Sequence, residues 1–344
     1  MNIELLTLSE VTAIEGEEGN FTVKIAQSPR YVDMEKCIGC NICTEKCPAK
    51  AVDTFNEGLV KRRAIYVPYA QAVPLKWAID DSRCLKFTSK KGKCKKDNCE
   101  ANCPSGAINF EDTAREHTLT VGSVIMTAGF DKFDPKDLDN YQHKQLPNVV
   151  TSMEFERMLS ANGPTSGHIK RPSDDVEPKK IAWLQCVGSR DLNKCNNEYC
   201  SSVCCMYAVK EAVMAREHLG GDYQSSIFFM DMRTSGKEFE RYYNRAKEDG
   251  VRFVRSRVHS ITQLDASGTL QLTYTDEAGE NQQEVFDMVV LSVGMEASDS
   301  AIETAKILGI ELNDYQFVET SPLAPVAASK PGIYVAGVLQ GPKD

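Results

Sequence analysis

Four cysteines in one short run are the residues of this sequence whose spacing most directly indicates chemistry. Cys37, Cys40, Cys43 and Cys47 are followed at once by Pro48, which gives the pattern C-x2-C-x2-C-x3-C-P. This spacing is typical of thiolate ligands to a [4Fe–4S] cluster, because three thiolates two residues apart on a tight loop reach three corners of a cube. A structural zinc site uses separated C-x2-C pairs or adds histidine. The run therefore predicts an iron–sulfur cluster, and with it electron transfer.

A second, wider set of cysteines repeats this arrangement in the pattern C-x9-C-x4-C-x3-C-P, which ends at Pro104. The extra residues lie in a lysine-rich loop, 86–96, and loop length costs little free energy, so the pattern still predicts a second cluster. In a duplicated two-cluster domain of the ferredoxin type, the last cysteine of each half serves the other cluster. The predicted ligand sets are Cys37, Cys40, Cys43 and Cys103 for one cluster, and Cys84, Cys94, Cys99 and Cys47 for the other.

Five further cysteines surround the first strand-to-helix turn of a predicted βαβ unit. They are Cys186, Cys195, Cys200, Cys204 and Cys205. The turn reads C-V-G-S-R and lacks the G-x-G-x-x-G loop that a dinucleotide-binding unit needs there, which argues against a nucleotide site. One interpretation is a third cluster held by Cys186, Cys200, Cys204 and Cys205. The other is a group of buried structural cysteines or a reactive dithiol, and the spacing alone does not decide between them.

Strand-to-glycine turns of the kind found in flavoprotein reductases with two dinucleotide domains occur at three places. One apolar strand ends in Thr127-Ala128-Gly129, a second ends at Gly294, and a third runs into Gly337. In similar flavoproteins an acid after the last turn accepts a hydrogen bond from the ribityl chain of FAD, and here that acid is Asp344. The predicted flavin-binding residues are Thr127, Ala128, Gly129, Gly337, Gly341 and Asp344.

The composition of the chain limits its partners and its location. It has 344 residues, thirteen cysteines and a net charge of −9 at pH 7. The acidic balance argues against nucleic acid as a main partner. No apolar run has the length of a membrane helix, and no signal peptide opens the sequence. Cysteines in metal-ligand spacings within a large acidic chain favour a reducing cytoplasm.

The order of the motifs predicts an α/β chain with an inserted domain. Alternating apolar and polar residues predict a β-meander at 1–30, and the two cysteine halves predict a ferredoxin-like, two-cluster insert at 31–110. A return strand and connecting segments follow at 111–178. Strands alternating with helices predict a Rossmann-like βαβ domain with a parallel sheet at 179–295, and 296–344 is predicted to complete the flavin domain.

Nearly the whole chain resembles the A-type iron–sulfur subunit of heterodisulfide reductase and its relatives in anaerobes. The segments that carry the resemblance are R-R-A-I-Y-V-P-Y-A-Q-A-V-P, G-H-I-K-R-P-S-D, I-A-W-L-Q-C-V-G-S-R, Y-C-S-S-V-C-C-M-Y-A and A-G-V-L-Q-G-P-K-D. The resemblance implies a partial thioredoxin-reductase-like flavoprotein core of two dinucleotide domains that binds FAD, with an inserted two-[4Fe–4S] ferredoxin-like domain. It also implies a third cluster near the flavin, held by Cys186, Cys200, Cys204 and Cys205, with Cys195 as an additional thiol.

The function implied by this resemblance is that of an electron-transfer subunit in a multi-subunit iron–sulfur flavoprotein oxidoreductase. Its flavin and clusters would relay electrons, or split electron pairs by flavin-based bifurcation. The implied partners are a hydrogenase- or dehydrogenase-type donor and a heterodisulfide reductase B/C-like or other reductase acceptor. No catalytic side chain is assigned. Members of the family carry an FAD phosphate-binding segment before the position of residue 1, so this chain is expected to resemble a fragment or a split subunit whose FAD site needs another chain.

Two other functions belong to different classes. An NAD(P)H-dependent reductase resembling the small subunit of glutamate synthase would need a glycine loop after the strand at Ile181 to Gln185. A metal-stabilised interaction module would have the cysteines but no redox role, and would hold zinc in place of iron.

Overall fold

Two units make up the fold, residues 1–122 and residues 123–344, and each is described by itself. The structure is a computed structural model that describes residues 2–90, 94 and 98–343. The strands of the first unit are β1 (Ser9–Glu17), β2 (Asn20–Gln27), β3 (Lys50–Val52), β4 (Lys61–Arg63), β5 (Ile65–Tyr66), β6 (Ala78–Ile79) and β7 (Arg115–Val121). Its short helices are α1 (Ile42–Lys46), α2 (Leu85–Thr88) and α3 (Asn98–Ala101).

An antiparallel three-stranded sheet of order β1-β2-β7 frames this unit. The turn between β1 and β2 contains Gly19 at φ +88°, a backbone conformation that glycine adopts without steric cost. On β2, Phe21 and Val23 alternate with exposed residues and are buried, as expected for a sheet with one covered face. The first strand begins at Ser9, within the predicted meander of residues 1–30, and the side chain of Ile3 before it is 78 % exposed.

The cysteine-bearing segment leaves the sheet after β2 and returns to it at β7, and its two ends are tied together. Val32 and Ile108 form an antiparallel bridge, and the Asp33 N–H donates to the Ala107 carbonyl at 2.8 Å. The carboxylate of Asp112 accepts hydrogen bonds from the backbone N–H groups of Arg30 and Tyr31. Because entry and exit lie side by side, the insertion leaves the antiparallel pairing of β2 with β7 intact.

The second unit contains a larger sheet and four α-helices within the described residues. Its strands are β8 (Val124–Met126), β9 (Asp131–Lys132), β10 (Val149–Thr151), β11 (Lys180–Val187), β12 (Gln224–Phe229), β13 (Arg252–Arg255), β14 (Val258–Gln263), β15 (Leu270–Thr275), β16 (Asn281–Phe286), β17 (Met288–Val293), β18 (Met295–Glu296) and β19 (Ile333–Val335). Its helices are α4 (Ser152–Leu159), α5 (Cys204–Leu219), α6 (Phe239–Glu248) and α7 (Asp299–Leu308). Short 3₁₀ turns lie at Pro135–Asp137 and Gly337–Gln340.

A five-stranded parallel sheet of order β10-β17-β11-β12-β13 is the centre of the second unit. All six residues of β17 are buried, as are all residues of β11 after Lys180, which is the pattern of central strands covered on both faces. The predicted parallel sheet is therefore confirmed. The antiparallel meander β14-β15-β16 lies between β13 and β17 in the chain, and its buried Ile261 and Leu272 extend the same core.

Helix ends in this unit follow local capping chemistry. Helix α4 opens with a capping box, in which the Thr151 hydroxyl accepts from the Glu154 N–H and the Glu154 carboxylate accepts from the Thr151 N–H. Helix α5 stops at Gly220, whose N–H bonds to the Arg216 carbonyl at 2.9 Å and whose φ is +57°. Helix α7 is capped by Ser298 and ends at Gly309 in the left-handed conformation.

The packing of α4 on β11 gives a direct test of this core. Phe155 is fully buried and meets the ring of Trp183 edge to face, with centroids 5.4 Å apart. Phe155→Ala should lower the free energy of unfolding by about 3–5 kcal/mol, because it removes buried apolar area and leaves a cavity. Urea denaturation followed by tryptophan fluorescence measures the change. Met153→Ala on the same helix, at a side chain 38 % exposed, is the control, and equal effects would contradict this packing.

Among the described residues, none of the helices combines the length and the apolar character that crossing a membrane requires.

Candidate iron–sulfur and flavin sites

The first predicted ligand set surrounds one small cavity in the unit of residues 1–122. Cys37, Cys40, Cys43 and Cys103 all line it, with apolar walls from Val32, Trp77, Ala107 and Ile108. Burial raises the pKa of the Cys43 thiol to about 11, and the thiols of the other three cysteines add to the rise. Four thiols facing one apolar cavity fit the donor set that a [4Fe–4S] cluster requires.

The backbone at this cavity takes left-handed conformations between the cysteines. Gly39, between two of the cysteines, has φ +72°, and Asn41 before α1 is also left-handed. Burial alone would raise the pKa of Cys103, but it is lowered because the Ala107 N–H donates to its sulfur at 3.3 Å. Such N–H···S bonds favour the thiolate, which is the form that binds iron.

The second predicted set lies together in the same unit. Burial raises the pKa of Cys99 to about 12, with further contributions from the thiols of Cys84 and Cys47. Burial also raises the pKa of Cys84, and its thiol neighbours are Cys47 and Cys94. The fold thus places Cys47, from the first half, with the second half, and Cys103 with the first. Six residues of the lysine-rich loop, 91–93 and 95–97, belong with Met1 and Asp344 outside the described residues.

A third group of thiols lies at the carboxyl end of β11 and the start of α5. Cys186, Cys204 and Cys205 are at most 6 % exposed, and Cys200 is half-buried beside them. Burial raises the pKa of Cys205 to about 11, and the neighbouring thiols of Cys186 and Cys200 raise it further. Burial raises the pKa of Cys204 as well, with contributions from all three other thiols. These four thiols fit one cluster by the same donor chemistry as the first set.

Cys195 lies apart from these four. Burial raises the pKa of its thiol, and the charged groups that act on it are Asp191, Arg257 and Glu296 rather than other thiols. Within the described part of the chain, no group of three or more His, Cys, Asp or Glu side chains is close enough to ligate a single metal ion.

The backbone of the turn that carries Cys186 is left-handed at two positions and tightly packed. Cys186 and Gly188 have φ of +60° and +77°, and a Cβ on Gly188 would stand 2.1 Å from the ring of Phe133. Gly294, which follows β17, approaches as closely: its Cβ would lie 2.3 Å from the Ser189 hydroxyl. The two glycines therefore let the neighbouring ends of β11 and β17 meet.

The predicted flavin turns come together through a parallel strand pair. β8 pairs with β19 in register from Val124 with Ile333 to Met126 with Val335. The segment Thr127–Gly129 leaves one strand, and the 3₁₀ turn from Gly337 to Gln340 leaves the other, at the same end of the pair. Gly129 and Gly337 both have φ +74°, and Gly341 ends the 3₁₀ turn. The predicted ribityl contact at Asp344 falls outside the described residues.

A cavity of about 950 Å³ opens beside these turns, within the unit of residues 123–344. Its walls are mostly apolar, and they include Phe130 after the first turn and Val338 within the second. Met206 and Tyr207, which follow Cys205 on α5, form another wall. A large apolar cavity with a few convergent polar groups is the usual form of a cofactor site.

The polar groups of this cavity were not singled out in the sequence. Lys210 Nζ pairs with Glu156 Oε1 at 3.2 Å, which links α5 to α4. Glu211 is 1 % exposed, accepts a hydrogen bond from Trp183 Nε1 at 2.8 Å, and has a carboxyl pKa raised well above its usual range by burial. Lys210 lies five residues after Cys205, and this spacing matches no known motif. It reaches the cavity only because it lies on the face of α5 that lines the cavity. The other basic residues in the lining are Lys132, Lys237, Arg245 and Lys343.

Comparison with known proteins identifies the class to which this arrangement belongs. A family model described as a 4Fe-4S dicluster domain matches residues 36–107, the segment that contains the first two thiol sets. The chain is 42% identical over 349 residues to the A-type iron-sulfur subunit of the CoB–CoM heterodisulfide reductase of Methanocaldococcus jannaschii, covering 100% of this chain and 51% of the relative. It is 38% identical to the A-type subunit of the H(2):CoB-CoM heterodisulfide,ferredoxin reductase of Methanothermobacter marburgensis, with the same shares covered.

A solved thioredoxin reductase from Lactococcus lactis overlaps 82% of this chain and 78% of its own, at 15% identity and a TM-score of 0.41. A likeness at that score is weak, and the class of this chain does not depend on it.

The chain is thus an iron–sulfur protein with a dicluster domain inserted into an α/β core. It belongs to the family of A-type heterodisulfide reductase subunits, and it spans about half the length of the curated relatives it matches. This membership confirms the predicted family. The dicluster match and the parallel sheet of the second unit also confirm the predicted α/β fold with an inserted two-cluster domain. The dicluster match supports the predicted [4Fe–4S] clusters.

Proposed function

We propose that the three sets of four cysteines, which leave out only Cys195, each hold a [4Fe–4S] cluster. We also propose that the cavity beside α5 receives the flavin ring. The observation that carries the proposal is that one helix serves both sites. Cys204 and Cys205 begin α5, and Met206, Tyr207 and Lys210 on its next turn line the cavity. A flavin exchanges electrons singly or in pairs, so it supplies the step between one-electron clusters and two-electron partners.

The chain's own residues would then position and shield the ring. Tyr207 Oη donates to the Val293 carbonyl at 2.6 Å, which holds the start of α5 against the end of β17. Lys210, which is paired with Glu156, places an ammonium group at the wall of the cavity. The remaining cationic lining residues suit the negative charge of a reduced ring or of a phosphate.

The whole protein, on this proposal, is an electron-transfer subunit of a multi-subunit, cytoplasmic oxidoreductase. Its partners would be a hydrogenase- or dehydrogenase-type donor and a heterodisulfide reductase B/C-like or other reductase acceptor. The name of the M. marburgensis relative mentions both a heterodisulfide and ferredoxin as compounds that its enzyme reduces. That pairing supports the finer proposal that the flavin divides electron pairs between two acceptors.

A block of the cavity tests the flavin assignment. Val338→Trp adds a large side chain to the cavity wall, and we expect it to weaken riboflavin binding at least about tenfold, because the ring and the indole would compete for one space. Titration of the purified chain with riboflavin, followed by flavin fluorescence, measures the affinity. Leu323→Trp makes a similar change at a side chain that is 98 % exposed, and it should leave the affinity unchanged. Equal affinities of the two variants for riboflavin would overturn the assignment.

A further inference from the structure

A buried cysteine and an arginine meet at the end of β11. Burial raises the pKa of the Cys186 thiol, and the positive charge of the Arg190 guanidinium opposes this rise. Arg190 has φ +54°, a left-handed conformation that is uncommon for a residue with a side chain. Its backbone N–H bonds to the Tyr199 carbonyl at 3.0 Å, which fixes the turn on which the guanidinium stands.

A carboxylate holds this arginine in place from the neighbouring strand. β12 runs parallel to β11, and Asp231 lies just beyond its carboxyl end, where it pairs with Arg190 Nη1. Arg233 approaches the same carboxylate at 3.4 Å, and its backbone N–H donates to the Cys205 sulfur at 3.4 Å. Two cations and one anion therefore stand beside the third thiol set, which leaves one net positive charge.

We propose that Arg190, positioned by Asp231, raises the reduction potential of a cluster held by Cys186, Cys200, Cys204 and Cys205. This inference rests on the third cluster of the proposed function. One-electron reduction adds a negative charge to the cluster and its four thiolates, and a fixed cation beside a ligating sulfur stabilises that charge. Hydrogen bonds to ligating sulfurs act in the same direction. Asp231 opposes the effect through its own charge while holding the guanidinium beside the thiol set.

The test is a redox titration of the full chain with iron and sulfide reconstituted, followed by EPR. The relevant signal is the one that Cys204→Ser removes. Arg190→Gln should lower the equilibrium constant for one-electron reduction about tenfold, which is about 59 mV toward negative potential. Asp231→Asn keeps a carbonyl oxygen for Arg190 but removes the opposing charge, and it should shift the potential in the opposite direction. Arg190→Lys should recover much of the Arg190→Gln shift.

A purely structural role would not give shifts of opposite sign. Arg241→Gln is the control, since Arg241 lies on α6 with a side chain that is 80 % exposed and paired with Glu238. If the signal is present and neither Arg190→Gln nor Asp231→Asn moves its potential, this inference is wrong and the third cluster stands. If the unaltered chain has no such signal, both the inference and the third cluster fail. If Arg190→Gln does not assemble the cluster, the signs of the Asp231→Asn and Arg190→Lys shifts decide.

Discussion

Cys43→Ser should remove about four of roughly twelve irons from each anaerobically reconstituted chain, because a [4Fe–4S] cluster needs all of its thiolate corners. Iron and acid-labile sulfide analysis measures the loss, and EPR of the reduced protein should show that one of the ferredoxin-type signals has disappeared or changed form. Cys195→Ala is the matched control, because its thiol is not a neighbour of any cysteine set. An unchanged iron content and unchanged signals in Cys43→Ser would contradict the ligand assignment.

The exchange of cysteines between the two halves makes this prediction sharper. Cys103→Ser should abolish the same signal as Cys43→Ser, although sixty residues separate the two positions. Cys47→Ser, only four residues from Cys43, should abolish the other signal instead. If Cys43→Ser and Cys47→Ser affect one cluster together, each half binds its own cluster and the thiol neighbourhoods of this fold have been misinterpreted.

Cys204→Ser should remove a different set of about four irons and leave both ferredoxin-type signals in place. The side chain is 2 % exposed and has three thiol neighbours, so a hydroxyl there gives iron a poorer ligand in an apolar site. The same iron analysis, with EPR of the reduced protein, measures the effect. Loss of all cluster signals together would point to unfolding, which circular dichroism detects, and in that case the milder Cys200→Ser is compared.

Iron content also separates the proposed function from its alternatives. Zinc in place of iron in the unaltered chain would favour a metal-stabilised interaction module and would contradict all three clusters. An unchanged iron content in Cys204→Ser would favour the interpretation of Cys204 and Cys205 as structural thiols or a reactive dithiol, and it would leave the ferredoxin-type clusters unaffected.

Two ion pairs at the candidate sites depend on contacts between residues that are distant in the sequence, which no local sequence pattern predicts. Asp231 lies just beyond β12, where a dinucleotide-binding domain would have a ribose-binding acid, but the turn after β11 lacks the glycine loop of such a site. In the fold Asp231 pairs with Arg190, because β11 and β12 are parallel neighbours and both residues follow the carboxyl ends of these strands. The Lys210–Glu156 pair likewise exists only because α4 packs against α5.

The sequence by itself determined the chemistry of the chain, because cluster binding depends on cysteines spaced a few residues apart and parallel central strands on continuous apolar runs. Both signals are local in the sequence, so they can be recognised without knowledge of the fold. Only the tertiary structure decided that Cys195 stands apart from Cys204 and Cys205, and that β7 completes the sheet begun by β1 and β2. It also decided where the cavity opens, since its walls come from segments more than two hundred residues apart, between Phe130 and Val338. Such contacts are set by strand order and helix packing, which short-range spacing does not encode.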